Sequence, residues 1–503
     1  MEEGIVQFNS LQFLIFLPLV VLFYFVMPKR VKYIWLLCVS YYFYMCWNMK
    51  YALLILFSTI VTWTGGIFLQ FIKKRRWEKK KILRYCKMIV FLCCFANLSI
   101  LFFFKYFDFA FQNLNMVLNH IGIIFNKPEY DILLPVGISF YTFQALGYTI
   151  DVYRGDICAE KNIFKYALFV SFFPQLVAGP IERSKNLLKQ INNPADFHVD
   201  NAKYGLLTMA YGLFLKLIIA DRISTIVDPI LDDYASYHGM AVAMCIILFA
   251  FQIYCDFHGY TQIAIGSAKI LGYQLQENFK APYLAVDVRE FWQRWHISLT
   301  TWFTDYLYIP LGGNRKGKIR KYINVMVVFL CSGLWHGASW AYVAWGGLNG
   351  LYMVLYDWLK PYSAKIIQYL KINTDALGWK ISGGLFTFLL VDYTWLYFRA
   401  KSLRGALEIQ LKIYREFHLP YVLSDSLLGM FGSYSALAIL LFSLSFLFYT
   451  DYLQLQGIDW KKRVLEQQIV YRWLAYIMML LVLFVFGVYG AENGQTQFIY
   501  FQF

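Results

Sequence analysis

Residues 51–72 read YALLILFSTIVTWTGGIFLQFI, and this stretch decides the class of fold. None of its residues carries a charge. At about 1.5 Å per residue, an α-helix of that length is about 33 Å long, enough to cross a hydrocarbon core about 30 Å thick. The apolar residues form a continuous run and do not alternate with polar ones. The pattern therefore favours a membrane-spanning helix over a strand of a membrane barrel.

Similar apolar runs recur along the whole chain. They include residues 11–27, 89–104, 322–335 and 473–490. Hydrophobic residues make up 59% of the chain and charged residues only 15%, whereas a soluble domain usually has about a quarter charged residues. The sequence therefore predicts an all-α, polytopic integral membrane protein with roughly eleven to thirteen transmembrane or re-entrant helices.

The positions of the basic residues indicate the orientation in the membrane. Lys and Arg cluster at 28–32 and 73–87, whereas the connections at 48–50 and 112–131 have few. By the positive-inside rule, the N-terminus lies outside and residues 73–87 lie in the cytoplasm. The formal net charge of +15 then mostly reflects the orientation of the chain in the membrane, and nucleic acid is not an expected partner.

The first segment is expected to remain as an anchor, because residues 1–10 carry two acids and no base.

We expect one membrane-embedded domain, because no polar connection is long enough to fold alone. This domain, residues 1–503, comprises N-terminal helices (1–130), a catalytic core (131–360) and C-terminal helices (361–503). The C-terminal region leaves one question of topology open. Residues 399–415 and 461–472 are both basic, and they cannot both lie inside with one span between them.

Residues 281–320 are the least like a simple span. They mix aromatic residues with ionisable ones that include Asp287, Arg289, Glu290, Arg294, His296 and Asp305. Lipid offers such side chains no partners. The segment is therefore expected in the interface, or buried in protein where it lines a wet cavity.

His336 is out of place in the apolar run that begins at Tyr322. A helix starting at Tyr322 places His336 about 21 Å along its axis, past the middle of the hydrocarbon core. Ser332 and Trp340, four residues before and after it, are expected on the same helix face. A packing histidine bonded to a neighbouring helix is one interpretation, but a functional one is favoured. An apolar setting keeps imidazole neutral, so the ring could take a proton from an attacking hydroxyl as general base.

His296 lies in FWQRWHISLTTW, residues 291–302. On a helix, Glu290 and Arg294 are spaced to pair, and Trp292 shares a face with His296. Spacing alone leaves two interpretations equally open, an interfacial aromatic belt with a polar tip or a site residue.

Three further patterns bear on possible sites. Asp256 and His258 form a polar island in CDFHGYTQIAIG (255–266), where hydrogen bonding between helices is the favoured role. GGNRKGKI (312–319) nearly matches a P-loop, but Ile319 stands where Ser or Thr should bind magnesium, so a basic cytoplasmic turn is predicted. The seven histidines lack metal-ligand spacing and the nine cysteines lack a C-x-x-C pair, so we expect no metal site.

Taken together, the motifs resemble those of the membrane-bound O-acyltransferase family, specifically its bacterial polysaccharide branch. The resemblance covers most of the chain and rests on PVGISFYTFQALGYTIDVYRG (135–155), FFPQLVAGPIER (172–183), ENFKAPYLAVDVREFWQRWHISLTTWFTDYLYIPLGGNR (277–315), SGLWHGASWAYVAWGGLNG (332–350), TWLYFRAKSLRGAL (394–407) and GAENGQTQFIYFQF (490–503). It implies a multi-pass protein of the bacterial cytoplasmic membrane. The implied fold is a ring of helices around a thin centre, with a tunnel where a cytoplasmic donor and an external acceptor meet.

The resemblance also assigns residues. It places His336 at the family's essential histidine and His296 at its second characteristic one, both as catalytic candidates. Weaker candidates for substrate binding are Trp335, Ser332, Trp340, Arg294, Trp295, Asp305 and Asp256. One stretch departs from the family pattern: residues 256–262 read DFHGYTQ where the family commonly has DFSGYSD. His258 and Gln262 therefore replace Ser and Asp.

The implied activity is acyl transfer from a cytoplasmic thioester, most simply acetyl-CoA as co-substrate without a further cofactor, for O-acylation of an extracytoplasmic polysaccharide. Chain length and the FIYFQF tail favour acetyl transfer over the alternative, D-alanyl transfer from a carrier protein to teichoic acid. A transporter or flippase would predict repeated halves and broken helices, and the sequence has neither. Because the external connections are short, an extracytoplasmic acetyltransferase partner is expected to receive the acyl group and place it on the polymer.

Overall fold

The computed structural model describes residues 7–123, 134–177, 179–418, 420–421, 424–489 and 498–499. Within these residues all regular secondary structure is helical, which confirms the predicted fold class. The chain divides into two compact units. The first comprises Met1–Met209 and Ile263–Gln276, and the second comprises Ala210–Gln262 and Glu277–Phe503.

The helices of the first half of the chain are α1 (Leu11–Val26), α2 (Lys32–Met45), α3 (Ala52–Lys73), α4 (Lys79–Leu101), α5 (Phe107–His120), α6 (Ile138–Arg154), α7 (Ile163–Ser171), α8 (Phe173–Leu176), α9 (Ser184–Asn192), α10 (Val199–Leu213) and α11 (Asp221–Asp232). The second half contains α12 (Gly239–Ile270), α13 (Val288–Arg294), α14 (Ile297–Phe303), α15 (Lys318–His336), α16 (Trp340–Tyr369), α17 (Leu377–Arg399), α18 (Leu403–Arg415), α19 (Asp425–Gly429), α20 (Tyr434–Leu455), α21 (Trp460–Leu465) and α22 (Ile469–Phe486). Three π-helical segments continue α4, α10 and α14: Phe102–Tyr106, Phe214–Ala220 and Thr304–Tyr308.

Six helical stretches in the described part of the chain have the length and apolar composition needed to cross a membrane: Met49–Lys73, Lys79–His120, Gly239–Ile270, Leu377–Arg399, Tyr434–Leu455 and Ile469–Phe486. Helix α1 is a shorter apolar helix. The larger predicted number, which includes re-entrant helices, stays a prediction.

Helix α3 shows how polar residues are sorted between protein and lipid. Its buried face carries small or polar residues such as Ser58 and Thr62, and its exposed face carries large apolar ones such as Leu53 and Phe68. The Thr62 hydroxyl lies 2.7 Å from the Tyr166 hydroxyl, which makes a hydrogen bond between helices. Small residues allow close helix packing and interhelical hydrogen bonds stabilise it, while the apolar face is suited to lipid.

Helix α12 answers the open question about the two basic segments. Near its start, the Gly239 N–H donates to the Glu416 carboxylate at 2.6 Å. Twenty-three residues later, the Lys461 ammonium donates to the side-chain oxygen of Gln262 at 2.8 Å. These contacts are about 35 Å apart along the helix. The basic segments 399–415 and 461–472 therefore lie near opposite ends of α12, as expected if α20 spans the membrane between them.

Helices α15 and α16 form a hairpin whose backbones touch. A Cβ on Gly333 would lie 2.3 Å from the carbonyl oxygen of Tyr342, and a Cβ on Gly346 would lie 2.3 Å from that of Phe329. Any side chain at either position would force the two helices apart. This close packing fixes the end of α15, where His336 lies.

The first part of the segment 281–320, residues 281–303, is largely buried in protein, which is one of the two predicted locations, whereas residues 304–320 are mostly half-buried or exposed. The segment forms the short helices α13 and α14 and then the π-helical segment 304–308. Phe291, Trp295 and His296 are each only 1% exposed. Residues 311–316 form a turn with Gly312 at a φ of 109°, and Gly317, at a φ of 86°, precedes α15. The predicted turn is therefore confirmed, and its cytoplasmic location stays a prediction.

Candidate active site

His336 is the last residue of α15. Gly337 follows in an extended conformation, and the Ser339 side chain caps the next helix by accepting the Tyr342 N–H at 3.5 Å. The prediction that Trp340 shares a helix face with Ser332 and His336 is therefore wrong. Trp340 begins α16 and is 54% exposed.

His296 lies at the junction between α13 and α14, with a left-handed φ of 44°. The predicted shared face with Trp292 is wrong, because α13 ends at Arg294. The predicted ion pair between Glu290 and Arg294 is confirmed. Such a φ is uncommon outside glycine, and strained backbone of this kind is often found at functional sites.

Asn278 holds the chain in this conformation on the C-terminal side of His296. Its carbonyl oxygen accepts the Ile297 N–H at 2.9 Å. Its side-chain oxygen accepts the Ser298 hydroxyl at 2.6 Å and the Ser298 N–H at 3.3 Å. Asn278 and Ser298 are both buried, so these bonds are shielded from water. Asn278 therefore helps to position His296.

The two histidines are neighbours in the protein interior. Their ring centroids are 6.4 Å apart, and the residues are 1% (His296) and 6% (His336) exposed. Three aromatic rings surround His336 nearly edge-on: Trp335 at 4.9 Å, Trp345 at 5.0 Å and Phe398 at 5.2 Å. This aromatic enclosure fixes the ring of His336 and limits the access of water.

Both histidines line a cavity of about 400 Å³, which falls within the range of small-molecule sites. Its wall includes Trp292 and Trp295 and one face of α15, where the lining residues recur every three or four positions: Lys321, Val325, Val328, Phe329, Ser332 and His336. From Lys321 to His336 the helix rises about 22 Å. The cavity is therefore elongated, with imidazoles near one end and a cation near the other.

The structure brings only some of the predicted residues into this wall. His336, His296, Ser332 and Trp295 line the cavity, and Trp335 packs on His336. The remaining candidates do not line it: Trp340, Arg294, Asp305 and Asp256. Sequence reasoning missed Lys321 and Asp357, which also line the cavity. The regular spacing of residues 321–336 on one helix was the available signal for Lys321.

Asp256 contacts other polar groups of the protein and does not face the cavity, in agreement with the favoured role in bonding between helices. It forms an ion pair with Lys216 at 2.6 Å, and Lys216 also pairs with Asp221 at 2.8 Å. The second carboxylate oxygen of Asp256 accepts the Ile499 N–H at 2.7 Å. All three ionic side chains are buried, and Lys216 pairs with both carboxylates, so neither buried carboxylate is left without a cation. Only Phe498 and Ile499 of the predicted tail motif, residues 490–503, are among the described residues.

His258 and Gln262, the two residues that differ from the family pattern, contact each other. The Gln262 side-chain nitrogen lies 3.0 Å from a ring nitrogen of His258, and the Gln262 oxygen accepts from Lys461. His258 and Gln262 are both buried and do not line the cavity. The substitutions therefore form a connected polar pair that holds α21 against α12.

Known proteins share long stretches with this chain. The model of the family described as MBOAT, membrane-bound O-acyltransferase family, matches residues 159–367. A probable alginate O-acetylase AlgI of Pseudomonas putida is 37% identical over 402 residues, covering 79% of this chain and 78% of the relative. A peptidoglycan O-acetyltransferase of Helicobacter pylori is 32% identical over 437 residues, covering 80% and 79%. A teichoic acid D-alanyltransferase of Bacillus subtilis is 26% identical over 251 residues, covering 48% and 63%.

Proposed function

The chain belongs to the membrane-bound O-acyltransferase family and is a multi-pass membrane O-acyltransferase, and from that premise we propose its acyl group, donor side and general base. It moves an acetyl group from a cytoplasmic thioester, most simply acetyl-CoA, for O-acetylation of an extracytoplasmic polysaccharide. His336 is the general base.

The observation that carries this proposal is the elongated cavity. The positive-inside rule assigns the basic turn before α15 to the cytoplasm, and the cavity runs from that end of α15 to His336. A thioester entering at Lys321 could therefore bring its acyl group to the buried histidines. The apolar and aromatic middle of the cavity would exclude water, which would otherwise hydrolyse the thioester.

The proposed step balances in atoms and charge. The acceptor hydroxyl gives its proton to the His336 imidazole while its oxygen attacks the thioester carbonyl carbon. The tetrahedral intermediate collapses as the C–S bond breaks, and His336 returns the proton to the sulfur. The products are an acetyl ester and a free thiol. General base catalysis of this kind contributes about 10²–10⁴-fold in rate.

His296 assists from its neighbouring position. At 6.4 Å between ring centroids, it is too far for direct contact with His336 but close enough to reach a group bound between the rings. In the proposal it orients the donor carbonyl or the acceptor hydroxyl. Asn278 positions it, because it bonds the two residues that follow His296.

The immediate acceptor in this proposal is a small nucleophile, most simply a side-chain hydroxyl of an extracytoplasmic partner. A buried histidine cannot reach hydroxyls distributed along a bulky polymer, since His336 is only 6% exposed. The partner then passes the acetyl group to the polysaccharide. Acetyl is preferred over D-alanyl because the O-acetylating relatives match about four-fifths of the chain and the D-alanyltransferase about half.

The test uses purified protein in nanodiscs with radiolabelled acetyl-CoA and candidate polysaccharide, with and without an extracytoplasmic acetyltransferase partner. We expect labelled polymer only when the partner is present, and loss of partner and polymer labelling in His336→Ala. His120→Ala is the matched control, because this exposed histidine lies on α5 and does not line the cavity. Transfer from a D-alanyl-loaded carrier protein but not from acetyl-CoA would contradict the proposed acyl group. Efficient labelling of polymer without the partner would contradict the relay.

A further inference from the structure

Three charged side chains meet at the end of the cavity away from the histidines. Arg289 from α13 and Lys321 from α15 both form ion pairs with Asp357 from α16, each with a different carboxylate oxygen. All three residues line the cavity. The Asp357 side chain is 9% exposed, whereas those of Arg289 and Lys321 are 35% and 29% exposed. One buried carboxylate therefore holds two partly accessible cations, and the cluster keeps one excess positive charge.

The cluster is held by packing on several sides. Asp287 caps α13 by accepting the Glu290 N–H at 2.8 Å, and its other oxygen accepts the Tyr356 hydroxyl at 2.9 Å. The Arg289 guanidinium lies 5.4 Å from the centre of the Tyr356 ring. Helices α13 and α16 therefore fix Arg289 from both sides. Side chains positioned in this way are prepared to bind a ligand with little loss of conformational entropy.

The position of the cluster indicates the chemistry of its ligand. Lys321 lies about 22 Å from His336 along α15, and the lining between them includes Val325, Val328 and Phe329. A ligand that fills this space has an anionic group at one end, a slender and mostly uncharged middle, and a reactive group at the other end. A phosphorylated pantetheine thioester has this order of groups. Arginine and lysine are both common phosphate ligands in proteins.

We propose that Arg289 and Lys321 bind the phosphate of a phosphopantetheine-type thioester donor, and that Asp357 is a positioning residue that holds the two cations and competes with that phosphate. The inference rests on the proposed function, since it assumes a thioester donor that enters from this end. The same phosphate occurs in free coenzyme A and in a carrier protein's prosthetic group. The structure therefore assigns the shared chemistry, and experiment must separate the two sources.

The test compares donors with and without the phosphate. Initial rates are measured in nanodiscs with S-acetylpantetheine, which has none, with S-acetyl-4′-phosphopantetheine, which differs from it only in that phosphate, and with acetyl-CoA, and the two phosphorylated donors should respond alike. We expect Arg289→Gln and Lys321→Gln each to raise the KM for acetyl-CoA roughly tenfold, since each loses one charge-assisted contact. Their kcat, and both constants for S-acetylpantetheine, should stay near wild type. Arg315→Gln is the matched control, because it removes a cation from the adjacent exposed turn outside the cavity wall.

Asp357→Asn tests the competition. If the carboxylate competes with the donor phosphate, its removal should lower the KM for acetyl-CoA about threefold and leave S-acetylpantetheine unchanged. A KM for acetyl-CoA that is unchanged or higher would overturn the role of Asp357. Equal effects of the Arg289 and Lys321 variants on both donors would overturn the phosphate site, because a purely structural role does not distinguish the donors.

Binding of coenzyme A itself, by calorimetry, gives a readout that needs no turnover. Wild type should bind both coenzyme A and 4′-phosphopantetheine more tightly than pantetheine, and Arg289→Gln should remove most of the difference between 4′-phosphopantetheine and pantetheine. The same comparison with a carrier protein bearing phosphopantetheine identifies the source of the phosphate: the natural donor should be the form whose affinity falls most in Arg289→Gln. If wild type turned over no thioester at all, the proposed function would fail. If it used both donors and the variants did not separate them, only this inference would fail.

Discussion

Gly333→Ala should separate α15 from α16 and thereby displace His336. The added Cβ would lie 2.3 Å from the carbonyl oxygen of Tyr342, more than 1 Å inside ordinary contact. The obstacle is backbone, which cannot rotate away, so the helices must shift. Overpacking of this kind costs about 1–3 kcal/mol. Gly347→Ala is the matched control on the same hairpin. There the nearest atom to the added Cβ is Leu330 Cδ2 at 3.7 Å, and the better helix propensity of alanine should stabilise by about 0.5–1 kcal/mol.

The two alanine variants are therefore expected to differ by about 1.5–4 kcal/mol in stability, with Gly333→Ala the less stable. A displacement of about 1 Å at a reacting group can cost about a hundredfold in rate, and His336 lies only three residues from Gly333. We expect Gly333→Ala to lose most acetyl transfer and Gly347→Ala to keep it. The assays are thermal unfolding in detergent and initial rates of transfer from radiolabelled acetyl-CoA. Equal stability and equal rates for the two variants would refute the argument that backbone contact positions His336.

Three further predictions concern the junction, a buried acid and the topology. Asn278→Ala should lower stability by about 1–3 kcal/mol and reduce kcat more than it changes KM, because the buried Ser298 hydroxyl loses its acceptor; a double-mutant cycle with Ser298→Ala measures the coupling, which should be close to zero if the bond is unimportant. Burial raises the pKa of Glu182 from 4.5 to about 7, so the folded chain keeps a proton that the unfolded chain releases, and stability should fall as pH rises from 4.5 to 7; melting curves for Glu182→Gln should show a flatter dependence, and an unchanged slope would contradict this origin. A cysteine at Lys79 should react only with membrane-permeant reagents and one at Asn113 with impermeant ones in intact cells, whereas the reverse pattern would overturn the N-out orientation.

Much of the fold could be predicted from local composition, because lipid forces long apolar runs into helices. The run from Tyr322 predicts a helix that carries Ser332 and His336, and the structure has α15, Lys318–His336. The charges of the segment 281–320 need partners, which predicts a buried or interfacial location, and residues 281–303 are largely buried. These predictions depend only on residues close together in the chain.

The two wrong predictions, for the helix faces of His336 and His296, both concern places where a helix ends. Trp340 was placed on the face of His336 by continuing the helical repeat through Gly337 and Ser339. Glycine just after a helix and serine just before the next are stop and start signals, and here they outweigh the apolar pattern. The junction at His296 has no comparable signal, because its left-handed backbone depends on Asn278, which lies eighteen residues earlier in the chain.

The charged end of the cavity could not be predicted at all. Asp357 lies in α16, outside the sequence motifs that indicate function, and its importance arises only when three helices bring it to Arg289 and Lys321. Contacts between elements distant in sequence depend on packing, and a single sequence does not specify them. The same limit explains why Trp345 and Phe398, which enclose His336, were not singled out as candidates.

The most direct test of the central claim is the single-turnover rate of acetyl transfer in His336→Ala. The variant should insert in the membrane and purify as a monodisperse species, because alanine fits the space of the imidazole without introducing a buried charge. Its rate from radiolabelled acetyl-CoA to the acceptor should fall about 10²–10⁴-fold relative to wild type, while the affinity for coenzyme A remains within about twofold. A correctly folded variant that transfers acetyl at a near-normal rate would contradict the account, because His336 could not then be the general base.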